Sequence, residues 1–169
     1  FRLDLAYVPD RTADGKPESL KLPSPYAHPS PARDLQDLGD DKETYRPHLL
    51  IRNNREADDY QAIIALSQAM STPSAGIVAE VTPLIDLDQW ARVFALQSIT
   101  GAADVYTRGG LHHNIEFYAQ PDGGKILAFP WDWDFAFTAP TNQSLIGADG
   151  NTGRLLNQPI ARRLVHGHL

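Results

Sequence analysis

The chain has no cysteine. Disulfide frameworks, thiolate zinc sites and cysteine nucleophiles are therefore excluded, and either redox environment is tolerated. No block of Lys or Arg occurs. Fifteen basic residues stand against 21 acidic ones, giving a net charge of −6 and a pI of about 5.4. Duplex nucleic acid is not the expected partner, because neutralising phosphates takes clustered basic side chains. The acidic balance suits cations better than anions. No apolar run approaches the roughly 18 residues that a membrane-crossing helix needs. The HExxH and GxSxG spacings and the Walker A loop are missing, and with them the simplest signatures of a zinc protease, a serine hydrolase and a P-loop ATPase. There is no internal repeat and no low-complexity tract. The first residue is Phe1, not Met. The expectation is a fragment or processed piece, and the lack of a signal peptide carries no information about export.

What is present is the balance of one soluble globular domain: 169 residues, 42% hydrophobic and 21% charged, enough for a core of useful size. Residues 1–10 (FRLDLAYVPD) alternate at Phe1, Leu3, Leu5 and Tyr7, which predicts a strand. Six of the 13 prolines (Pro17, Pro23, Pro25, Pro29, Pro31 and Pro47) fall within residues 11–47. That stretch predicts a long ordered loop, with one helical turn in ARDLQDLGDD closed by Gly39. YRPHLLIRN, from Tyr45 to Asn53, reads as a short strand. A helix follows, capped by Asp58 or Asp59, with Tyr60, Ile63, Ile64, Leu66 and Met70 at helical spacing and Pro73 beyond its end. A second helix, capped by Asp86, carries Trp90, Val93, Phe94, Leu96 and Gln97 and stops at Gly101. Its Trp90, Phe94 and Leu96 read as core. Asn114 to Ala119 and Lys125 to Pro130 flank Pro121-Asp122-Gly123-Gly124, a hairpin signal. Beyond Ala139 the chain turns polar, and a basic tail helix is expected near Ile160 to Val165.

The strongest chemical feature is FPWDWDF, residues 129–135. Two carboxylates stand two apart at the exit of the hairpin, among four aromatics. In an extended segment, residues i and i+2 share a side, so Asp132 and Asp134 would address one cation. A cation also keeps two close carboxylates ionised together. Oxygen-only ligands suit Mg²⁺ or Mn²⁺ better than zinc. Trp131 and Trp133 would then pack on the other face. The plain alternative is a polar turn whose Asp side chains cap backbone amides. Upstream, Asp104 opens a Gly-rich loop (ADVYTRGGLHH) and Asn114 closes it. The resulting order of Asp, Asn and Asp, with a hairpin between the last two, is the order phosphoryl transfer uses. One carboxylate accepts the proton of the attacking hydroxyl, and an amide oxygen and a second carboxylate hold metal. Taken singly, Asp104 is an ordinary loop residue and Asn114 an ordinary turn former. His112 and His113, with Asp132 or Asp134, offer a zinc or iron site instead. Adjacent strand residues point oppositely, however, which works against two neighbouring His ligands.

The segment IDLDQWARVFALQSITGAADVYTRGGLHHNIEFYAQPDGGKILAFPWDWDFAF resembles the core of the CotH kinase family, the spore-coat-protein-H group. That family shows an Asp-initiated helix, a loop with Asp and then Asn, a Tyr-rich strand, a turn, and a Pro-Trp-Asp stretch with a further acid. ARDLQDLGDDKETYRPHLLIRNNREADDYQAIIALSQAM is similar to the part preceding that helix, so the likeness covers about residues 30–140. It implies an α+β fold like the C-terminal lobe of an atypical protein kinase, with helices packed on a small antiparallel, hairpin-containing sheet. One partial domain would span 1–169: a Pro-rich leading segment at 1–47, a catalytic-lobe core at 48–140 and a polar tail at 141–169. By position, Asp104 resembles the catalytic-loop acid, Asn114 the metal-binding amide and Asp132 the metal carboxylate. Asp134 would be an auxiliary ligand, and Arg108 or His113 would touch nucleotide phosphate. The implied cofactors are ATP with Mg²⁺ or Mn²⁺. The implied partner is a secreted or coat protein phosphorylated on Ser or Thr, at an extracellular, envelope or spore-surface location. Two features depart from the family pattern. The interval of ten residues from Asp104 to Asn114 is longer than usual, and neither an ATP-cradling lobe nor its phosphate-binding Lys is found. Two other expectations stay open: a non-catalytic coat or surface scaffold, and a metal-dependent hydrolase using His113.

Overall fold

The computed structural model describes residues 1–3, 10–11, 17–18, 34–46, 49–102, 105–106, 114–138 and 150–169. These residues form an α+β fold with six α-helices and five short strands. Strands β1 (Arg2–Leu3), β2 (Asp10–Arg11) and β3 (Pro17–Glu18) come first, with β2 and β3 paired antiparallel. Helix α1 (Lys42–Tyr45) is a single turn whose N-cap, Asp41, accepts from the Glu43 amide at 3.0 Å. The turn expected inside ARDLQDLGDD is displaced to this position. Residues 34–41 are not helical, because Asp37 takes the Gly39 amide at 2.8 Å and Gly39 sits at φ +88°; such a local side-chain bond competes with helix formation.

The segment read as a strand from Tyr45 also differs. Tyr45 ends α1, and Leu49, Leu50 and Ile51 are all buried. Leu50 makes a single β-bridge, but no named strand includes it, so among the described residues the segment contributes one contact and not a strand. Side chains serve the carbonyls there: the Tyr60 hydroxyl donates to Leu49 at 3.1 Å and Arg55 donates to Ile51 at 3.4 Å.

Helices α2 (Gln61–Ser71) and α4 (Leu87–Ile99) form where the periodicity places them, with α3 (Ile77–Val81) between. Asp59 accepts from the Gln61 amide at 2.9 Å, and Asp86 from the Gln89 amide at 3.1 Å. The buried stripe of α4 runs through Trp90, Ala91, Phe94, Ala95 and Ser98, the spacing of one helical face. Leu96 lies off this stripe and is 45% exposed, so it is not a core residue. Helices α5 (Gly150–Leu156) and α6 (Pro159–His168) close the chain. Helix α6 covers α4 and buries Ala161 and Val165. The expected tail helix is therefore α6, and α5 carried no local signal.

Strands β4 (Ile115–Ala119) and β5 (Ile126–Pro130) make the hairpin, and β1 adds to β4 in the order β1-β4-β5. Asp122 (φ 59°) and Gly123 (φ 72°) turn it, as consecutive left-handed residues do in tight hairpins. The outer edge of β5 is not left open. The Gln89 amide donates to the Ala128 carbonyl at 2.6 Å and accepts from its N–H at 3.0 Å, while the Trp90 indole donates to the Ile126 carbonyl at 2.9 Å. The Ile126 N–H donates to Leu84 at 2.8 Å. Helix α4 thus does for β5 what a further strand would do, and removes an edge that would otherwise template pairing with another chain.

Candidate active site

The site is built from the two ends of the segment that joins α4 to β4, together with the loop that leaves β5. Helix α4 ends at Ile99 with Thr100 as its C-cap, and Gly101 takes φ +55°. Ala102, Val105 and Tyr106 are buried. Trp90, Phe94, Tyr106 and Phe117 form one aromatic cluster. Trp90 stacks on Phe117 at 5.4 Å between ring centroids, Phe94 on Tyr106 at 6.5 Å, and Tyr106 meets Phe117 edge-on at 5.9 Å. Tilted and offset aromatic pairs of this kind add directional packing to ordinary burial. The core therefore grips the segment at Tyr106, two residues after Asp104.

The hairpin register sets Ile115 against Pro130. One step outward, the Trp131 N–H donates to the Asn114 carbonyl at 3.1 Å. At the other end of the exit loop, the Phe137 N–H donates to the Thr100 carbonyl at 2.6 Å. Residues 131–137 are thereby fastened to both flanks of the Gly-rich segment. Asn114 and the acidic loop are neighbours, although 18 residues separate Asn114 from Asp132.

The loop itself is not extended. Asp132 has φ +53°, and a turn follows in which the Ala136 N–H donates to Trp133 at 3.1 Å. The alternation expected to aim Asp132 and Asp134 to one side does not hold, because a left-handed residue reverses the pleat. Asp tolerates that conformation better than most side chains. Asn114 (φ 59°) and Phe137 (φ 63°) share it. For an aromatic residue this is a strained backbone, costing on the order of 1–3 kcal/mol. Asp132, Asp134 and Phe135 are exposed, and Phe137 is 82% exposed. Trp131 is also exposed, at 40%, so it does not pack away as the alternating pattern implied. Trp133 is half-buried, and its indole N–H is enclosed without an acceptor among the described residues.

Asn114 is buried, while Asp132 and Asp134 make no side-chain hydrogen bond or ion pair among the described residues. Their environment differs from that of Asp58, which binds both terminal nitrogens of Arg46 at 2.6 and 2.8 Å. Asp104, Arg108, His112 and His113 lie outside the described residues. No group of three or more His, Cys, Asp or Glu side chains that could hold a metal occurs among the described residues. The donors that are described, two carboxylates and one amide, supply oxygen only, and that set fits Mg²⁺ or Mn²⁺ and not a soft metal. A cleft of about 530 Å³, lined by Phe1, Asn53, Asn54, Gln120 and Asp122, opens at the turn end of the hairpin, away from Asp132.

Sequence reasoning missed the polar cluster behind the site. The Tyr106 hydroxyl donates a short hydrogen bond to Asp34. Asp34 also accepts from the Leu35 N–H at 2.8 Å and the Thr152 N–H at 2.7 Å. The Thr152 hydroxyl stands 2.7 Å from the Asp34 carboxylate and 2.9 Å from the phenol oxygen. Burial, and then the Asp34 charge, push the Tyr106 phenol well above its ordinary value, so it remains a donor. The only local hint was the place of Tyr106 beside Asp104. Its partners lie 72 and 46 residues away.

Against known proteins, the family model described as "CotH kinase protein" matches residues 10–166. No curated protein matches, and no solved structure matches. No described helix is long and apolar enough to cross a membrane.

Proposed function

The chain belongs to the CotH kinase family, and from that premise we propose that it takes part in transferring the γ-phosphoryl group of ATP to a Ser or Thr hydroxyl of a secreted or coat protein. The observation that carries this reading is the fastening of the Trp131–Phe137 loop to Asn114 and to Thr100, with the Asp132 and Asp134 carboxylates exposed. Phosphoryl transfer asks the protein for positioning and charge more than for covalent chemistry. Asn114 and Asp132 would hold a divalent cation, with Asp134 as an auxiliary ligand. When bound, that cation supplies charge neutralisation on the phosphate oxygens. Asp104 takes the hydroxyl proton as general base. Arg108 and His113 contribute donors toward the nucleotide phosphates. The family premise also favours an extracellular, envelope or spore-surface setting.

The test uses the full-length protein with ATP, Mg²⁺ or Mn²⁺ and a Ser- and Thr-bearing protein substrate. Label transfer that needs the metal and disappears in Asp132→Ala supports the reading. Retained transfer in Asp132→Ala removes Asp132 from the site. Wild-type protein that binds neither nucleotide nor metal in calorimetry is a scaffold and not a kinase. Zinc or iron retained through purification points to hydrolysis instead.

A further inference from the structure

Tyr106 does more than fill the core. Its ring is fully buried between Phe94 and Phe117, and ring packing alone would hold a phenylalanine equally well. The hydroxyl is directed to Asp34, and it sits where three distant parts of the chain meet: residues 34–35, the segment after α4, and the first turn of α5. Every group at this junction is provided for. One Asp34 oxygen receives the Leu35 N–H and the Tyr106 hydroxyl, and the other receives the Thr152 N–H. Gly150, at φ +66°, leaves room for the carboxylate: a Cβ there would stand 2.6 Å from Asp34 Oδ2. Asn151 adds a bond of 2.6 Å to the Leu35 carbonyl. Such a closed network is costly to leave partly satisfied, and therefore rigid.

We propose that Tyr106 is a positioning residue for the phosphoryl-transfer site, its hydroxyl held by Asp34 and Thr152 so that Val105 and Tyr106 keep one placement against Phe117 on the strand that follows Asn114. The proposal rests on the function proposed above and deepens it. The short span from the buried Ala102 to the buried Tyr106 contains Asp104. Asp104, the proposed general base, directly precedes Val105 in the chain, so what holds Val105 and Tyr106 in the core bears on where it can reach. An error of about 1 Å in such placement costs about 100-fold in rate. Buried hydrogen-bonded networks behind a site are an effective way to prevent that error.

The experiment is a comparison, in the full-length protein, of wild type with Tyr106→Phe, Asp34→Asn, the double variant and Tyr118→Phe. Tyr118 is exposed and serves as the control. Tyr106→Phe keeps the ring and removes only the hydroxyl. The expected result is a fall in kcat of about 10- to 100-fold, with KM for protein substrate and the affinity for nucleotide and metal both unchanged within about twofold. Asp34→Asn gives a similar fall, the double variant is no worse than the single ones, and Tyr118→Phe matches wild type. Amide hydrogen exchange at Val105 and Tyr106 quickens in both single variants. A folded Tyr106→Phe protein with wild-type kcat overturns the positioning role and leaves the kinase reading standing. A change in KM alone, with kcat preserved, also overturns it. A wild-type protein that transfers no phosphate to any substrate removes the kinase reading and this inference together.

Discussion

Asp58 and Asp132 share a residue type and a backbone conformation, with φ of +46° and +53°, but live in opposite surroundings. Asp58 is enclosed by cations. It receives both terminal nitrogens of Arg46, and Lys42 Nζ stands 2.6 Å away. Arg46 is itself 2% exposed, is bonded to Glu43 at 2.9 and 3.0 Å, and lies over the Tyr60 ring at 5.3 Å. The hydrogen bonds from Arg46 hold the Asp58 carboxyl far below the usual carboxylate range. Burial would lower the Arg46 pKa, but the bonds to Asp58 and Glu43 outweigh it and raise the pKa. Asp132 is exposed and has no such cation among the described residues. The first carboxylate is satisfied from within the fold and serves to join α1 to the start of α2. The second has no counter-charge among the described residues and is exposed. Side-chain type and φ do not separate a structural acid from a candidate ligand; the neighbours do.

Removing the partner of the enclosed acid should have the largest effect on stability. Arg46→Ala leaves Asp58 and Glu43 without their guanidinium, and should cost about 3–5 kcal/mol in urea unfolding. A loss under about 1 kcal/mol would mean that water already solvates this pair. The open acid should show the reverse profile. Asp132→Asn should lower metal-dependent transfer by at least about 100-fold while changing stability by less than about 0.5 kcal/mol, as for other surface substitutions. If its midpoint in urea shifts as far as that of Arg46→Ala, the contrast between the two acids fails.

Gly150→Ala probes a third kind of acid, Asp34, which neutral donors satisfy. A methyl group at φ +66°, 2.6 Å from the carboxylate oxygen, should destabilise by about 1–3 kcal/mol. The comparison also has a pH form. The folded-state pKa of Asp58 lies below its unfolded value. Its stabilising contribution is therefore fully present above the usual carboxylate range and is lost as pH falls through and below it. Thermal melts from pH 7 down to pH 3 should show an acid limb that is shallower in Asp58→Asn than in wild type. A limb of unchanged slope would assign acid sensitivity to other groups. The smallest effect belongs to a residue that looked like core. Leu96→Gln should change stability by less than about 0.5 kcal/mol, because Leu96 is 45% exposed.

Much of the scaffold was legible because its signals are local. Asp86 and Asp59 mark helix starts with short-range bonds to nearby amides. Asp122-Gly123 marks the hairpin because few other pairs accept two left-handed residues. The aromatic-rich acidic stretch after the hairpin could be singled out for the same reason. What stayed hidden depends on chain-distant contacts. Nothing near Gln89 says that its amide will cap the edge of β5 at Ala128, 39 residues away. Nothing near Asp34 announces Tyr106 or Thr152.

The sequence by itself determined the helices α2 and α4, the hairpin and its turn, the shortage of basic patches, and the two carboxylates at the hairpin exit. Each of these follows from periodicity, capping or backbone freedom within a few residues. Only the tertiary structure decided that Asn114 and the acidic loop share one end of the sheet, that Asp132 leaves the extended conformation, and that Tyr106 is tied to Asp34 and Thr152. Those outcomes depend on which distant donors and acceptors remain unsatisfied once the core has closed, and no local pattern encodes that.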